Sequence, residues 1–160
     1  MTVTLRPAAL ADAAGIAHIL RATGAELGWP LPEDPAVTRD QVSRHLASCL
    51  GGEDHTVLVA ASEGDVAGYV AVHWLPYLLL PGPEGYVSEL FVRPERRGQG
   101  VGRALLGAAR AEAERRGCLR LMLLNGRHRE SYQRGFYRKA GWDEREEFAN
   151  FVLRLEPTNE

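Results

Sequence analysis

Glycines and arginines cluster near the middle of the chain, in the stretch from Ser88 to Leu106. An apolar run typical of a strand ends at Val92, glycines follow at positions 98, 100 and 102, and a helical pattern begins near Val101. Glycine lets a ligand come close to backbone amides, and the first amides of a helix have no partner within it. Arginine forks suit phosphate oxygens. The stretch therefore predicts a turn that binds a polyphosphate.

The spacing of the glycines separates several kinds of phosphate turn. A Walker loop requires Gly-Lys-Ser or Gly-Lys-Thr, which this sequence lacks. A dinucleotide fingerprint requires G-x-G-x-x-G in the first of two βαβ halves, whereas the glycines here run G-x-G-x-G in mid-chain. A plain strand-to-helix turn stays open as an alternative, although it does not require the four neighbouring arginines, which are Arg93, Arg96, Arg97 and Arg103.

The phrase RRGQGVG resembles the acyl-CoA pyrophosphate loop of the GNAT superfamily of N-acetyltransferases, because Arg97, Gly100 and Gly102 match its signature Q/R-x-x-G-x-G/A. Downstream, Gly135 to Trp142 is similar to the family's F/L-Y-x-x-x-G-F ending. The resemblance implies an α/β fold with a mixed, mostly antiparallel sheet, helices on both faces, and a parallel fourth and fifth strand that splay apart. We expect a single domain over residues 1–160.

The same resemblance implies direct transfer of the acetyl group of acetyl-CoA to a primary amine in a ternary complex. Tyr137 lies at the family's tyrosine position and would protonate the departing thiolate; the alternative is a core tyrosine beside Phe136. Glu89 alternates with Val87 and Phe91 along the predicted strand, so we expect all three to share a face. Glu89 is the candidate that deprotonates the amine or binds it as a cation; the alternative is a carboxylate paired with an arginine.

Donor binding is likewise implied by the resemblance, with the strand backbone pairing with pantetheine and the turn holding the pyrophosphate. An asparagine that relatives often carry seven residues before the tyrosine is Glu130 here, and Asn125 is its candidate substitute. Arg127, Arg129 and Arg134 either reach the 3′-phosphate or form a solvated helix face. The predicted donor-binding residues are Leu90, Phe91, Val92, Arg97, Gly98, Gln99, Gly100, Val101, Gly102, Arg103 and Asn125.

Periodicity and turn residues predict the remaining elements. Strands are predicted at Thr2–Leu5, Thr56–Ser62, Val66–Trp74, Tyr86–Val92, Leu119–Leu124 and Phe148–Leu155. Helices are predicted after a cap at Asp12, after a cap at Thr38, at Val101–Arg116 and at Glu130–Lys139, with an irregular connection at Gly24–Pro35. The apolar, proline-rich loop Leu75–Gly85 either folds over the core, lines the acceptor pocket or forms a subunit interface.

Composition narrows the class of protein. The net charge of −2 argues against general nucleic-acid binding, and no stretch approaches a membrane span, so we expect a cytoplasmic protein with no membrane partner. The two cysteines are expected to be reduced, and the five histidines lack metal-site spacing, so we expect no metal. Relatives are often dimers, which makes a homodimer one expectation.

Two other functional classes stay open. A non-catalytic acyl-CoA sensor would keep Arg97 to Gly102 without depending on Tyr137, and a nucleotide-binding partner protein would prefer ATP or NAD to CoA. The acceptor amine cannot be read from the sequence. The first 92 residues hold 4 arginines against 11 acidic residues, among them Glu26, Glu33 and Asp34 of the irregular connection. This excess favours a cationic acceptor; a solvated acidic surface is the alternative.

Overall fold

The sheet is an antiparallel meander that ends in one parallel pair. In the computed structural model, which describes residues 2–156, β1 (Thr4–Pro7), β2 (His55–Ser62), β3 (Asp65–Leu75) and β4 (Glu84–Val92) pair in chain order. The last strand, β5 (Arg120–Leu123), pairs with β4 in parallel, because a helix crosses between them. The predicted mixed sheet and its parallel pair are confirmed.

Helices cover both faces of this sheet, as predicted. Two helices, α1 (Ala13–Leu27) and α2 (Pro35–Leu50), precede β2 and bury their apolar faces in a core that includes Tyr69 of β3. The crossover helix α3 (Val101–Arg115) packs against Gly68, where a Cβ would lie 3.1 Å from Leu105 Cδ1 and 3.2 Å from Val101 Cγ1. Adjacent residues of a strand face opposite sides, so α3 lies on the face away from α1 and α2.

Helix α1 begins directly after Asp12, as predicted, whereas the start of α2 differs from the prediction. Helix α2 is capped by Asp34, whose Oδ1 accepts from the Ala36 amide at 2.8 Å, so the predicted cap Thr38 lies within the helix. Aspartate followed by proline at the first helical position is a strong start signal. Asp12 holds the N-cap position of α1, but its carboxylate accepts from the Arg6 guanidinium, at 2.7 and 2.8 Å, and from the Ala9 amide, at 2.8 Å, rather than from an amide of the helix. Because α1 runs to Leu27, the irregular connection shortens to residues 28–34.

The apolar loop before β4 does not fold over the core at its centre. Leu78 and Leu79 are 107% and 89% exposed. That alternative is therefore wrong for these two residues, whereas a pocket wall and an interface remain predictions. Within residues 2–156, no helix is both long and apolar enough to cross a membrane.

The described residues 125–156 belong to a second compact unit, and the described residues up to Leu124 belong to the first. The described part of the second unit holds two short helices, α4 (Glu130–Gln133) and α5 (Phe136–Lys139). The single helix predicted at Glu130–Lys139 is wrong because Gly135 has a φ of 67°, which interrupts it. The strand predicted at Phe148–Leu155 is also wrong, since this segment has no regular structure and its apolar side chains are exposed. The single domain stays a prediction.

Candidate active site

The two halves of strand β4 have different neighbours. Its first residues, 84–87, pair with β5, whereas residues 88–92 have no β5 partner in the part of the chain that the structure describes. On its other side, β4 pairs with β3 up to Val92. Leu90, Phe91 and Val92 therefore lie on the open half, where strand amides are available to an extended ligand.

The change coincides with a β-bulge. Ala71 of β3 pairs with Glu89, and the next residue, Val72, pairs with Val87, so Ser88 is the extra residue. Neighbouring residues of β3 face opposite sides, which places Glu89 and Val87 on opposite faces. The predicted shared face of Glu89 and Val87 is wrong because alternation does not survive a bulge.

Glu89 and Phe91 share a face of the sheet, as predicted, and α1 and α2 cover that face. Glu89 Oε2 accepts a hydrogen bond of 2.6 Å from the Tyr69 hydroxyl, and the Tyr69 ring lies 6.0 Å from that of Phe91. Burial and the Glu89 charge raise the pKa of Tyr69 well above its ordinary value, so this hydroxyl stays protonated. The group that holds Glu89 is therefore a buried tyrosine rather than an arginine.

A histidine that the sequence analysis did not select contacts the bulge. His73 Nε2 lies 2.7 Å from Ser88 Oγ, and its ring stands edge-on to His55 at 4.8 Å. Burial and His55 lower the pKa of His73, and the Glu89 charge opposes them. The sequence signal was present as polar residues in otherwise apolar strands, but only the register brings His73 and Ser88 together.

Aromatic rings line the neighbouring surface. Trp29, from the connection between α1 and α2, stands edge-on to Phe91 with centroids 5.5 Å apart. With Tyr69, these rings form an apolar wall next to the Glu89 carboxylate. An apolar wall with a few polar groups is typical of small-molecule sites.

The glycine turn has the backbone that an anion site requires. Gly98 and Gly100 have φ values of 73° and 84°, a region that favours glycine, and α3 begins directly after Gly100. The amides of residues 101–103 open that helix and have no acceptor within it. Gln99, between the two glycines, donates its side-chain amide to the Glu95 carbonyl at 3.0 Å.

The arginines around the turn have different partners. Arg97 Nη1 lies 2.8 Å from Glu26 Oε2 of α1, and Arg97 Nε donates to the Val92 carbonyl at 3.2 Å. Arg93 is only 16% exposed, and its Nη1 lies 3.8 Å from the carboxylates of Asp65 and Glu95. An anion that binds Arg97 at the turn would therefore have to displace the Glu26 carboxylate. Arg93 faces the β2–β3 hairpin instead.

Tyr137 lies in the second unit, among aromatic rings. Its ring is 5.0 Å from that of Phe136 and 6.1 Å from that of Trp142. Burial raises the pKa of the Tyr137 hydroxyl, while Arg129 opposes this shift. A phenol in these surroundings stays protonated at neutral pH, which is the state that a proton donor needs.

Two further predicted contacts also lie in the second unit. Asn125 Oδ1 accepts from Ser131 Oγ at 3.2 Å, and its Nδ2 is buried with no hydrogen-bond partner among the described residues. Arg127 Nη2 lies 2.7 Å from the Glu144 carboxylate, which also accepts from Tyr132 at 2.8 Å and has a lowered pKa. A phosphate would have to compete with Glu144 for Arg127.

The family model described as "Acetyltransferase (GNAT) family" matches residues 22–142, more than half of the chain. A curated relative, the aminoglycoside N(6′)-acetyltransferase type 1 of Stenotrophomonas maltophilia, is 31% identical over 160 residues. The match covers 97% of this chain and 95% of that protein.

Solved structures share the fold. A transcriptional regulator from Bacillus halodurans C-125 superposes with a TM-score of 0.79 at 22% identity, over 96% of this chain and 100% of its own. An aminoglycoside acetyltransferase from an uncultured soil sample, crystallised with trehalose and with sisomicin, gives 0.75 at 20% identity, over 96% and 97%. With the family model and the full-length relative, they lead to one conclusion: the chain belongs to the GNAT family of acetyltransferases.

Proposed function

We propose that this chain is an N-acetyltransferase that moves the acetyl group of acetyl-CoA to a primary amine by direct attack in a ternary complex. One observation carries the proposal. The open half of β4 continues into the glycine turn and then into the first amides of α3. This order matches a ligand with an amide-containing arm that ends in a pyrophosphate.

In this proposal the backbone of residues 90–92 pairs with the pantetheine arm, and one strand amide binds the thioester oxygen. Arg97, Arg103 and the amides of residues 98–102 bind the pyrophosphate, for which Arg97 exchanges Glu26 for a phosphate oxygen. Asn125 is the proposed further contact, which its unpartnered Nδ2 supports.

The reaction requires two proton movements. An amine that arrives as an ammonium ion must lose a proton before its nitrogen can form a bond to the thioester carbon. The carbon–sulfur bond then breaks, and the thiolate takes up a proton, which we assign to the Tyr137 hydroxyl. Glu89 is the proposed group that receives the amine, either as the base or as the anion that holds the cation.

An amino sugar is the proposed acceptor class. The curated relative that matches nearly the whole chain is named an aminoglycoside acetyltransferase. Aminoglycosides carry several primary amines that are protonated at neutral pH. The acidic first half of this chain and the carboxylate of Glu89 beside an aromatic wall favour such a cation.

The test is thiol release from acetyl-CoA with a panel of aminoglycosides, polyamines, amino acids and short peptides. We expect release with aminoglycosides and a fall of about 10²-fold in kcat for Tyr137→Phe, the size typical of a lost general acid. Tyr132→Phe is the matched control, because Tyr132 lies in the same unit but donates to Glu144. It should keep its kcat.

Separate binding measurements with acetyl-CoA, ATP and NAD identify the alternatives. Binding of acetyl-CoA without thiol release for any amine contradicts the enzyme and favours an acyl-CoA sensor. Tighter binding of ATP or NAD than of CoA contradicts the donor assignment. A Tyr137→Phe variant within a factor of two of the parent excludes Tyr137 as the acid.

A further inference from the structure

The bulge of β4 brings the exposed hydroxyl of Ser88 within hydrogen-bond distance of the His73 imidazole. Ser88 is the extra residue of the bulge and is exposed, and its Oγ lies 2.7 Å from His73 Nε2. Glu89 is the next residue along the strand and lies on the face of β3 that carries Ala71 and His73. A hydroxyl, an imidazole and a carboxylate therefore meet where the strand opens.

We propose that Ser88 and His73 take up the proton that the acceptor ammonium loses, while Glu89 holds that ammonium as a cation. This assignment rests on the proposed acetyltransferase function. It gives binding of the ammonium to Glu89 and removal of its proton to Ser88 and His73, whereas a single base would perform both tasks. His73 and Ser88 are the residues that it adds to the site.

The contacts of Glu89 favour this division. Its Oε2 already accepts the 2.6 Å hydrogen bond from Tyr69, which is 2% exposed. A proton placed on this carboxylate would weaken a short hydrogen bond to a buried hydroxyl, whereas a cation leaves that bond intact. Ser88, in contrast, is exposed, so a substrate ammonium can reach its oxygen.

The surroundings of His73 keep it ready to accept a proton. The titratable groups that face it are His55 from β2 and Glu89 and Tyr86 from β4, and Cys49 of α2 lies close enough to Glu89 to sense its charge. Burial and His55 lower the pKa of His73 from an ordinary value of about 6.5, so the ring is neutral at pH 7.

The proton passes in one balanced step. An N–H bond of the ammonium breaks and its proton moves to Ser88 Oγ, while the Ser88 hydroxyl, which also reaches the Ala71 carbonyl at 3.5 Å, turns to His73 Nε2 and passes its proton to that nitrogen. The products are a neutral amine, which attacks the thioester, and an imidazolium, which returns its proton to water after turnover. No electrons are transferred and no other reactant is needed.

The test is kcat/KM for the amine between pH 5 and 9.5 in His73→Gln, with acetyl-CoA affinity and thermal unfolding as folding controls. The parent should lose activity as the pH falls, with a midpoint under about pH 6.5; this loss is the acidic limb of the profile. His73→Gln should be about 10²-fold slower at pH 7 and should rise only with the neutral fraction of the amine. High pH should restore its rate, which a purely structural defect would not produce.

Four further variants sharpen the test. His55→Gln removes a group that lowers the pKa of His73, so the acidic limb should move to higher pH and stay present. Ser88→Ala should lower kcat at least about tenfold, and Ser88→Thr, which keeps a hydroxyl, should restore it. Glu89→Gln should raise KM for the amine and keep the acidic limb.

An unchanged limb in His73→Gln, with kcat within a factor of two of the parent, overturns the assignment. If only Glu89→Gln loses the acidic limb, Glu89 is the base, and the assignment of proton uptake to Ser88 and His73 is likewise overturned. Failure of the proposed function looks different, because the parent itself would then release no thiol with any amine, and the assignment to His73 would fall with it.

Discussion

The two halves of β4 differ in what surrounds them. In the first half, Glu84 is completely buried and forms an ion pair with Arg120, its register partner on β5. Gly85 follows, so tightly packed that a Cβ there would lie 2.4 Å from Leu121 Cδ2. In the second half, the bulge at Ser88 interrupts the ladder and the edge that faced β5 is open.

The difference assigns stability and chemistry to different parts of one strand. The first half is paired on both sides, and Arg120 neutralises the Glu84 charge through Oε2, although Glu84 Oε1 has no hydrogen-bond partner among the described residues. The second half leaves amides and polar side chains for the proposed ligand, and among the described residues it is held by β3, by the helices on the two faces and by Arg97, which donates to the Val92 carbonyl. Changes in the first half should therefore lower stability, and changes in the second half should lower binding or turnover.

Loss of the ion pair between buried Glu84 and half-exposed Arg120 should have the largest effect. Arg120→Leu leaves the Glu84 carboxylate without its cation in a site with 0% exposure, which should lower the free energy of unfolding by roughly 3 kcal/mol. Chemical denaturation measures this, and Arg120→Lys, which keeps the charge, should lose less. A loss below about 1 kcal/mol would show that the first half does not depend on the pair.

Filling the close contact at Gly85 should cost somewhat less. Gly85→Ala places a methyl group 2.4 Å from Leu121 Cδ2 and 2.7 Å from Trp74 Cζ3, so the free energy of unfolding should fall by about 1–3 kcal/mol. Shortening Leu121 in the same protein should recover part of that loss. Acetyl-CoA affinity of the folded variant should stay close to that of the parent; a large drop would mean that the two halves are coupled.

A substitution in the glycine turn should lower acetyl-CoA affinity, whereas the substitutions in the first half of β4 lower stability. Gly100 has a φ of 84°, so Gly100→Ala strains the backbone by about 1–2 kcal/mol and brings a methyl group towards the proposed pyrophosphate site. We expect acetyl-CoA affinity to fall at least about tenfold, which corresponds to 1.4 kcal/mol. Gly107→Ala is the control, since Gly107 lies within α3 with open space around it and should gain up to about 1 kcal/mol of stability. Equal affinities for both variants would argue against the turn as the phosphate site.

The smallest expected effect is on the ion pair between Glu26 and Arg97. Both side chains are partly exposed, at 44% and 37%, and such pairs contribute at most about 1 kcal/mol. Glu26→Gln should therefore tighten acetyl-CoA binding by no more than about fivefold at low salt, because Arg97 no longer exchanges partners. Glu114→Gln breaks a comparable surface pair with Arg110 and should leave the affinity unchanged. Weaker binding in Glu26→Gln would contradict competition between Glu26 and the phosphate.

Local sequence patterns predicted the elements correctly where residues adjacent in the sequence determine the backbone conformation. The two strands that flank Glu63 and Gly64, the strand into the glycine turn and the start of α3 at Val101 are of this kind. The prediction failed at Phe148–Leu155, where an apolar pattern indicated a strand but no neighbouring strand pairs with it in the described chain. A strand depends on a partner, and a local pattern does not show whether one is present.

The sequence by itself determined the family and the position of the glycine turn, because the family motif and the turn depend on glycine conformations and on spacing along the chain. The mixed sheet followed from the resemblance to that family. Only the tertiary structure decided which side chains meet. A one-residue bulge turned Val87 away from Glu89 and set Ser88 against His73, and the pairing of β3 with β4 brought Tyr69 to Glu89. Register is set by contacts between distant parts of the chain, so a shift of one residue reverses every face without changing the pattern along the sequence.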